Sequence, residues 1–179
     1  MNPILKSRLK AMGTGASAVA IAMVFGAWFE GTGPTRKDAA GATQYRAYRD
    51  TGGVWTACHG VTGPAIVPGR WYTQAECTVL EGAAYRRAEA GARRLFVRYD
   101  TYSRWMQASL IDMVYNLGES KLADSTIRRK LNSGDDAGGC AEMLRWNKGR
   151  VGGRLVVLPG LELRRDASTE LCTTWRDAE

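Results

Sequence analysis

Residues 45–63 read YRAYRDTGGVWTACHGVTG, and this stretch decides which fold the chain can adopt. Two short runs of strand-forming residues, 45–49 and 54–59, flank Asp50, Thr51, Gly52 and Gly53. A Gly-Gly turn between such runs predicts a β-hairpin, because glycine reaches the positive φ angles of tight connections without steric cost. Upstream, residues 31–43 form a Gly/Thr/Pro/Ala stretch carrying Lys37 and Asp38, expected as an irregular loop. Downstream, residues 63–71 hold Pro64 and Pro68 and are expected as another.

Beyond the hairpin the period changes from two to nearly four. Thr73-Gln-Ala-Glu76 has the form of a capping box, in which hydroxyl and carboxylate satisfy free N–H groups, and the helix it opens is expected to run toward Phe96. Residues 103–117 carry Met106, Leu110, Met113, Val114 and Leu117 on one face with Gly118 as a stop, which predicts the core helix. Shorter helices are expected over 125–131 and 136–146, separated at Asn132, Ser133 and Gly134, and another after Pro159-Gly160. Several helices and one small hairpin make an α+β domain with the sheet apart from the helical body.

The amino-terminal part obeys a different rule. Residues 11–29, AMGTGASAVAIAMVFGAWF, contain no charge, follow Lys6, Arg8 and Lys10, and open onto Glu30-Gly31. At the helical rise this length can cross a hydrocarbon core of roughly 30 Å, although many of its residues are Gly, Ala, Ser or Thr and its drive to insert is weak. Basic residues ahead of it predict a cytoplasmic amino terminus and export of the chain beyond Phe29. A cleaved secretory signal is the alternative, but the run exceeds the usual core of about 7–15 residues and ends in bulky Trp28 and Phe29 with no small-residue cleavage site. An uncleaved anchor is therefore expected, with residues 1–10 as its basic cytoplasmic flank and 30–179 as one exported domain.

Net charge is +7, of which +3 precedes the apolar run, leaving a modestly basic domain suited to an anionic polymer. The basic residues are scattered and do not alternate with aromatics, which argues against nucleic acid. Cys58, Cys77, Cys140 and Cys172 form an even set in an exported domain and fit two disulfides, for which sequence alone permits three pairings. With His59 as the single histidine and no closely spaced cysteines, no zinc site is expected.

YRDTGGVWTACHGVTG, RWMQASLIDMVYNLGESKLADSTIRRKLNSGD, GCAEMLRWNKG and LPGLELRRDASTELC, in this order, resemble the T4-type phage lysozymes, and especially the signal-anchor-release endolysins of lambdoid phages. The resemblance covers almost the whole chain. It implies a lysozyme-like fold in which a mostly helical body and a small β-hairpin lobe line a cleft. It also implies a monomeric muramidase of the periplasm, without cofactor or metal, that cleaves the bond between N-acetylmuramic acid and N-acetylglucosamine in peptidoglycan during host cell lysis.

That chemistry needs a carboxyl group to protonate the glycosidic oxygen and a second anionic group to handle water or positive charge at the sugar. The family's Glu, Asp and Thr triad carries over to Asp50 in Tyr-Arg-Asp and Thr56 in Val-Trp-Thr. The acid departs from the pattern. It usually lies about nine residues before the Asp, where this chain has Gly41, and the nearest Glu before the hairpin is Glu30, followed by Gly31 as in the family. Either an insertion of about eleven residues loops out between Glu30 and the hairpin, or the acid is lost and the chain is an inactive wall-binding relative. A flexible insertion costs little, roughly 0.6 kcal/mol per doubling of length, which favours Glu30 over Asp38, a shorter carboxylate within the loop. A lytic transglycosylase is a third reading.

The family's helix end makes Tyr115 and Asn116 candidates for sugar contact, against a packing role for Tyr115. Arg164 and Arg165 are expected on a solvated face, and His59, beside a cysteine, is expected to be structural or exposed. By the same resemblance Cys58 pairs with Cys77 and Cys140 with Cys172. Residues 11–29 hold no cysteine, so the resemblance points to anchor release with refolding as the switch and not to thiol exchange from the membrane segment.

Overall fold

The computed structural model describes residues 1–50 and 52–175; Thr51, in the expected turn, and the last four residues, which fall in the segment 30–179 expected as one domain, lie outside them. The described helices are α1 (Pro3–Ala11), α2 (Ala18–Phe29), α3 (Gln74–Leu95), α4 (Arg104–Leu117), α5 (Glu119–Ala123), α6 (Thr126–Asn132), α7 (Asp136–Ala141) and α8 (Pro159–Thr173). The strands are β1 (Thr35–Lys37), β2 (Thr43–Arg46), β3 (Tyr48–Arg49), β4 (Trp55–Ala57), β5 (Val61–Thr62), β6 (Trp71–Thr73), β7 (Lys148–Val151) and β8 (Arg154–Val157). They form two compact units, one of Met1–Phe25 and Tyr85–Glu179 and one of Gly26–Ala84.

The helical unit is organised by α4, whose bounds match the sequence expectation almost to the residue. Ser103 caps it by accepting the Met106 N–H at 3.3 Å, and Met106, Leu110, Met113 and Val114 are buried. The helix stops at Gly118, whose φ of 86° is open to glycine. Helix α8 packs along α4, and Cys140 and Cys172, with Cα atoms 5.7 Å apart, bond α7 to α8. The expected helix over 136–146 is shorter: α7 ends at Ala141 and continues as a 3-10 turn, Glu142–Arg145. Gly138 and Gly139 make it a poor helix, and Gly139 is needed because a Cβ there would run into Leu131. The helix after Pro159-Gly160 includes both residues, with Pro159 in its first turn. The short helix α5 and the hairpin of β7 and β8 had no place in the sequence expectation.

The charge-free run is not one continuous helix. It breaks over residues 12–17, where Gly13 takes φ 69° and Ser17 accepts the Ala20 N–H at 3.2 Å to start α2 afresh. No described helix is long and apolar enough to cross a membrane. Instead Leu5 and Leu9 of α1 and Ala18, Ile21, Ala22 and Phe25 of α2 are buried. Polar contacts hold the same segment: the amino terminus and Lys6 reach Glu170 at 2.5 and 2.6 Å, and Arg104 donates to the Gly13 carbonyl at 2.8 Å. Burial pushes the Glu170 carboxyl up, but hydrogen bonds from Lys6 and the amino terminus hold it below the usual range.

The second unit contains two antiparallel sheets, ordered β1-β2-β6 and β3-β4-β5. Its core is Tyr45, Ala47, Ala57, Cys58, Val61, Ile66, Tyr72 and Cys77, with Cys58 bonded to Cys77 across 5.4 Å of Cα separation. Two expectations change here. The run 45–49 divides at Ala47, which donates its N–H to the Arg70 carbonyl, so Tyr45 and Tyr48 belong to different sheets. The stretch 31–43 is no irregular loop: β1 pairs with β2 in the register Thr35↔Tyr45, and Asp38 closes the turn by accepting the Ala40 and Ala42 N–H groups, each at 2.9 Å. The capping box is present, Thr73 accepting from Glu76 at 3.2 Å and Glu76 from Thr73 at 2.8 Å.

Candidate active site

The hairpin of β3 and β4 turns on one side chain. Asp50 Oδ1 accepts the Gly52 and Val54 N–H groups, both at 2.9 Å, while its own N–H donates to the Val54 carbonyl at 3.0 Å. Asp is favoured at such turns because its short carboxylate replaces a backbone acceptor. Only one oxygen is used in this way. The other, Oδ2, lies 3.4 Å from Thr56 Oγ1, and the Thr56 hydroxyl also reaches the Val54 carbonyl at 3.1 Å. Thr56 sits on β4 opposite Tyr48 and is buried. A carboxylate oxygen beside a hydroxyl, held by a turn that uses the rest of the Asp side chain, can grip a water molecule between an acceptor and a donor.

Glu30 directly follows α2, and its N–H continues the helix by bonding the Gly26 carbonyl at 3.1 Å. From there the chain passes Gly33, at φ 64°, whose Cα lies so close to the Tyr48 ring that a Cβ would enter it. Tyr48, which sequence reasoning did not single out, thus links the loop after Glu30 to the hairpin of Asp50. Its phenol is pushed up by burial and, beyond that, by the negative charges of Glu30 and Asp50, so both carboxylates act on one hydroxyl. The structure therefore brings Asp50 and Thr56 together on the hairpin of Tyr48, and the loop that follows Glu30 packs on the same ring through Gly33. The sign of Tyr48 was visible in Tyr-Arg-Asp, but its ring contact depends on a glycine fifteen residues earlier.

His59 is structural in this arrangement. Its Nδ1 lies 2.7 Å from Glu81 Oε1, which also accepts the His59 N–H at 3.2 Å. The hydrogen bond to Glu81 raises the imidazole pKa against its partial burial, and the charges of Glu81 and Glu30 add to the rise. Glu81, Cys58 and Cys77 also come within 4.8 Å of one another, but the sulfurs are bonded together, so the cluster presents no thiolate to a metal.

The remaining candidates belong to the helical unit. Tyr115 stacks on Tyr85 with ring centroids 4.1 Å apart, and Asn116 Oδ1 accepts from Arg165 Nη2. Arg164 and Arg165 do not form the expected solvated face: they are 3% and 0% exposed. Arg164 grips Asp112 with a fork of 2.7 and 3.2 Å, and Arg165 Nε reaches the Trp146 carbonyl at 3.1 Å. Desolvating a guanidinium is tolerable only with such partners, and Asp112, a charge within the apolar face of α4, was the signal for it.

Comparison with known proteins gives the family and the fold. The phage lysozyme family model matches residues 38–168. The chain belongs to the phage lysozyme family. It is 34% identical over 175 residues to the SAR-endolysin of Enterobacteria phage P21, an alignment covering 96% of this chain and 97% of that protein. Among solved structures, the active form of the P1 phage endolysin Lyz superposes with a TM-score of 0.70 at 21% identity, covering 96% of this chain and 92% of that one. The muramidase domain of SpmX from Asticaccaulis excentricus gives 0.71 at 20% identity, covering 86% and 95%. The fold is thus lysozyme-like. The segment matched by the family includes Asp50, Thr56, Tyr115 and Asn116, whereas Glu30 precedes it.

Proposed function

We propose that this phage lysozyme is an endolysin that hydrolyses the β-1,4 bond between N-acetylmuramic acid and N-acetylglucosamine, with Glu30 as the general acid. Glu30 protonates the leaving glycosidic oxygen, and Asp50 with Thr56 holds and activates the water that attacks the sugar from the opposite face. Such a route inverts configuration. The observation that carries the reading is the geometry of Asp50, fixed by its own turn with Thr56 Oγ1 at its second oxygen, in a chain that also offers Glu30 directly after the end of α2. Tyr115 and Asn116 complete the reading as sugar-contacting residues. The decisive experiment replaces Glu30 with Gln and follows the turbidity of purified peptidoglycan. Loss of clearing in a folded protein supports the acid role, whereas retained clearing removes it. Reducing ends in the product separate hydrolysis from transglycosylation, which leaves anhydro-sugars.

The same reading assigns residues 11–29 to an uncleaved inner-membrane anchor that is later released into the periplasm, with 1–10 cytoplasmic until then. Support comes from the charge-free run behind three basic residues and from the P21 relative's name. Anchored, the run would hold Glu30 at the membrane surface; released, its residues 18–29 form α2 and present Glu30 at the end of that helix. Full activity in a chain that begins at Glu30 would refute this link between release and assembly.

A further inference from the structure

Apart from the residues already assigned a role, exposed aliphatic surface in the helical unit gathers on one element. In the hairpin β7–β8, Val151, Leu155, Val156 and Val157 are 56, 63, 38 and 45% exposed, and Leu144 just before it is 42% exposed. The register sets a basic residue across from an aliphatic one three times: Lys148 faces Val157, Arg150 faces Leu155 and Arg154 faces Val151. Residues 143–161 contain no Asp or Glu, and Lys148, Arg150 and Arg154 make no ion pair with a described carboxylate. The hairpin is braced where it leaves the helical unit, since Leu158 donates its N–H to the Asn147 carbonyl at 2.9 Å and lies so close to Gly149 that a Cβ would strike it.

A two-stranded ribbon that shows aliphatic groups to water on both faces gains nothing from them in solution. At a lipid interface the same groups leave water, while long basic side chains bury their stems and keep their charges at the phosphates. We propose that β7–β8 is a docking hairpin that seats the folded protein on an anionic lipid bilayer. The chemistry selects this occupant. A glycan would want aromatic plates or carboxamides, and neither strand carries one. A soluble polyanion would use the three cations and leave the aliphatic residues idle. Lipid uses both, and the proposal is independent of the role given to Glu30.

The test compares full-length chains that differ only in the hairpin, because residues 11–29 could enter lipid on their own account. Co-sedimentation is measured with vesicles of phosphatidylcholine, with and without phosphatidylglycerol. The parent is expected to partition onto the anionic vesicles, each of Lys148→Gln, Arg150→Gln and Arg154→Gln to lower partitioning about fivefold, and the pair Leu155→Ser and Val157→Ser to lower it by roughly tenfold. Clearing of lipid-free peptidoglycan and the thermal midpoint should be unchanged in all of them, which separates this outcome from loss of Glu30 chemistry or misfolding. Equal partitioning of the serine pair and the parent would overturn the proposal. So would binding that depends only on the cations and is competed by soluble polyphosphate, or a parent that sediments as a dimer without lipid while the serine pair is monomeric.

Discussion

The two carboxylates of the proposed site, Glu30 and Asp50, are held in opposite ways. Asp50 is fixed by near neighbours in sequence: its Oδ1 binds the N–H groups of Gly52 and Val54, and Thr56 follows at its other oxygen. Glu30 owes its position to remote parts of the chain, to a helix built from the apolar amino-terminal run and to the packing of Gly33 on Tyr48. A local turn survives changes elsewhere, whereas an acid supplied by a distant helix can be present or absent while the rest of the domain stays folded. The two halves should therefore respond differently to the same kind of mutation.

The largest difference is expected from removing the carboxylates themselves. Glu30→Gln should reduce the rate of peptidoglycan clearing by about 10²–10⁴-fold, the range of general acid catalysis, and leave the thermal midpoint unchanged. Asp50→Asn should also abolish most activity, yet keep an oxygen for the Gly52 and Val54 N–H groups and so keep the fold. Asp50→Ala should lose the turn as well, costing about 0.5–1.5 kcal/mol for each of the two exposed hydrogen bonds it gives up to water. Turbidity and thermal melts on the four proteins, parent included, check the contrast. Equal stability of the Asn and Ala variants would show that the turn does not rest on Asp50.

Legibility in the sequence divides along the same line. Ser103, the apolar face of α4 and Gly118, like Thr73 and Glu76 at the start of α3, are local patterns, and each appears in the structure at its expected place. The hairpin β1–β2 is hidden because Thr-Arg-Lys is exposed at every position, so no alternation of apolar and polar residues betrays a strand. Hairpin β7–β8 is hidden for the same reason, with both strands open to water. The break between α1 and α2 is masked when absence of charge is read as continuity, although Gly13 and Gly15 lie within it. Burial of Arg164 depends on Asp112, fifty-two residues away, and no local pattern announces a pair of that separation. Tyr48 falls between these cases, since its place on the hairpin is readable and its contact with Gly33 is not.

Gly33→Ala attacks the remote half alone. The new methyl would meet the Tyr48 ring in a backbone at φ 64°, a conformation that costs an L-residue about 1–2 kcal/mol before the clash is counted. Clearing should fall toward about 10²-fold if the loop after Glu30 shifts by an ångström. Gly41→Ala carries the same backbone cost at φ 80° in the turn closed by Asp38, but with nothing near its Cβ it should leave activity untouched. Combining Gly33→Ala with Tyr48→Leu, which removes the obstructing ring, should restore part of the stability. If both glycine variants lose activity equally, the inserted hairpin as a whole positions Glu30, and the Gly33 contact has no special part.

The smallest effect tests whether the local half has support of its own. His59 packs its imidazole against Glu81, and the pair braces the chain just after Thr56 and Cys58. Its folded pKa lies above the ordinary 6.5, first because of the hydrogen bond to Glu81. A raised value in the folded state means that folding favours the protonated ring. The stabilisation is therefore fully present below about pH 6.5, where the unfolded ring is also protonated, and is lost as pH rises through the folded value. Glu81→Gln should remove it, lowering stability by about 1 kcal/mol in mild acid once the partial exposure of His59 is allowed for. For a chain of this size that is a fall of about 2–4 °C in Tm, shrinking toward alkaline pH. Thermal melts of parent and variant across this range measure the difference directly. Should the gap widen with pH instead, Glu81 would be acting through its buried carboxylate and not through His59, and the hairpin of Asp50 would stand without the brace.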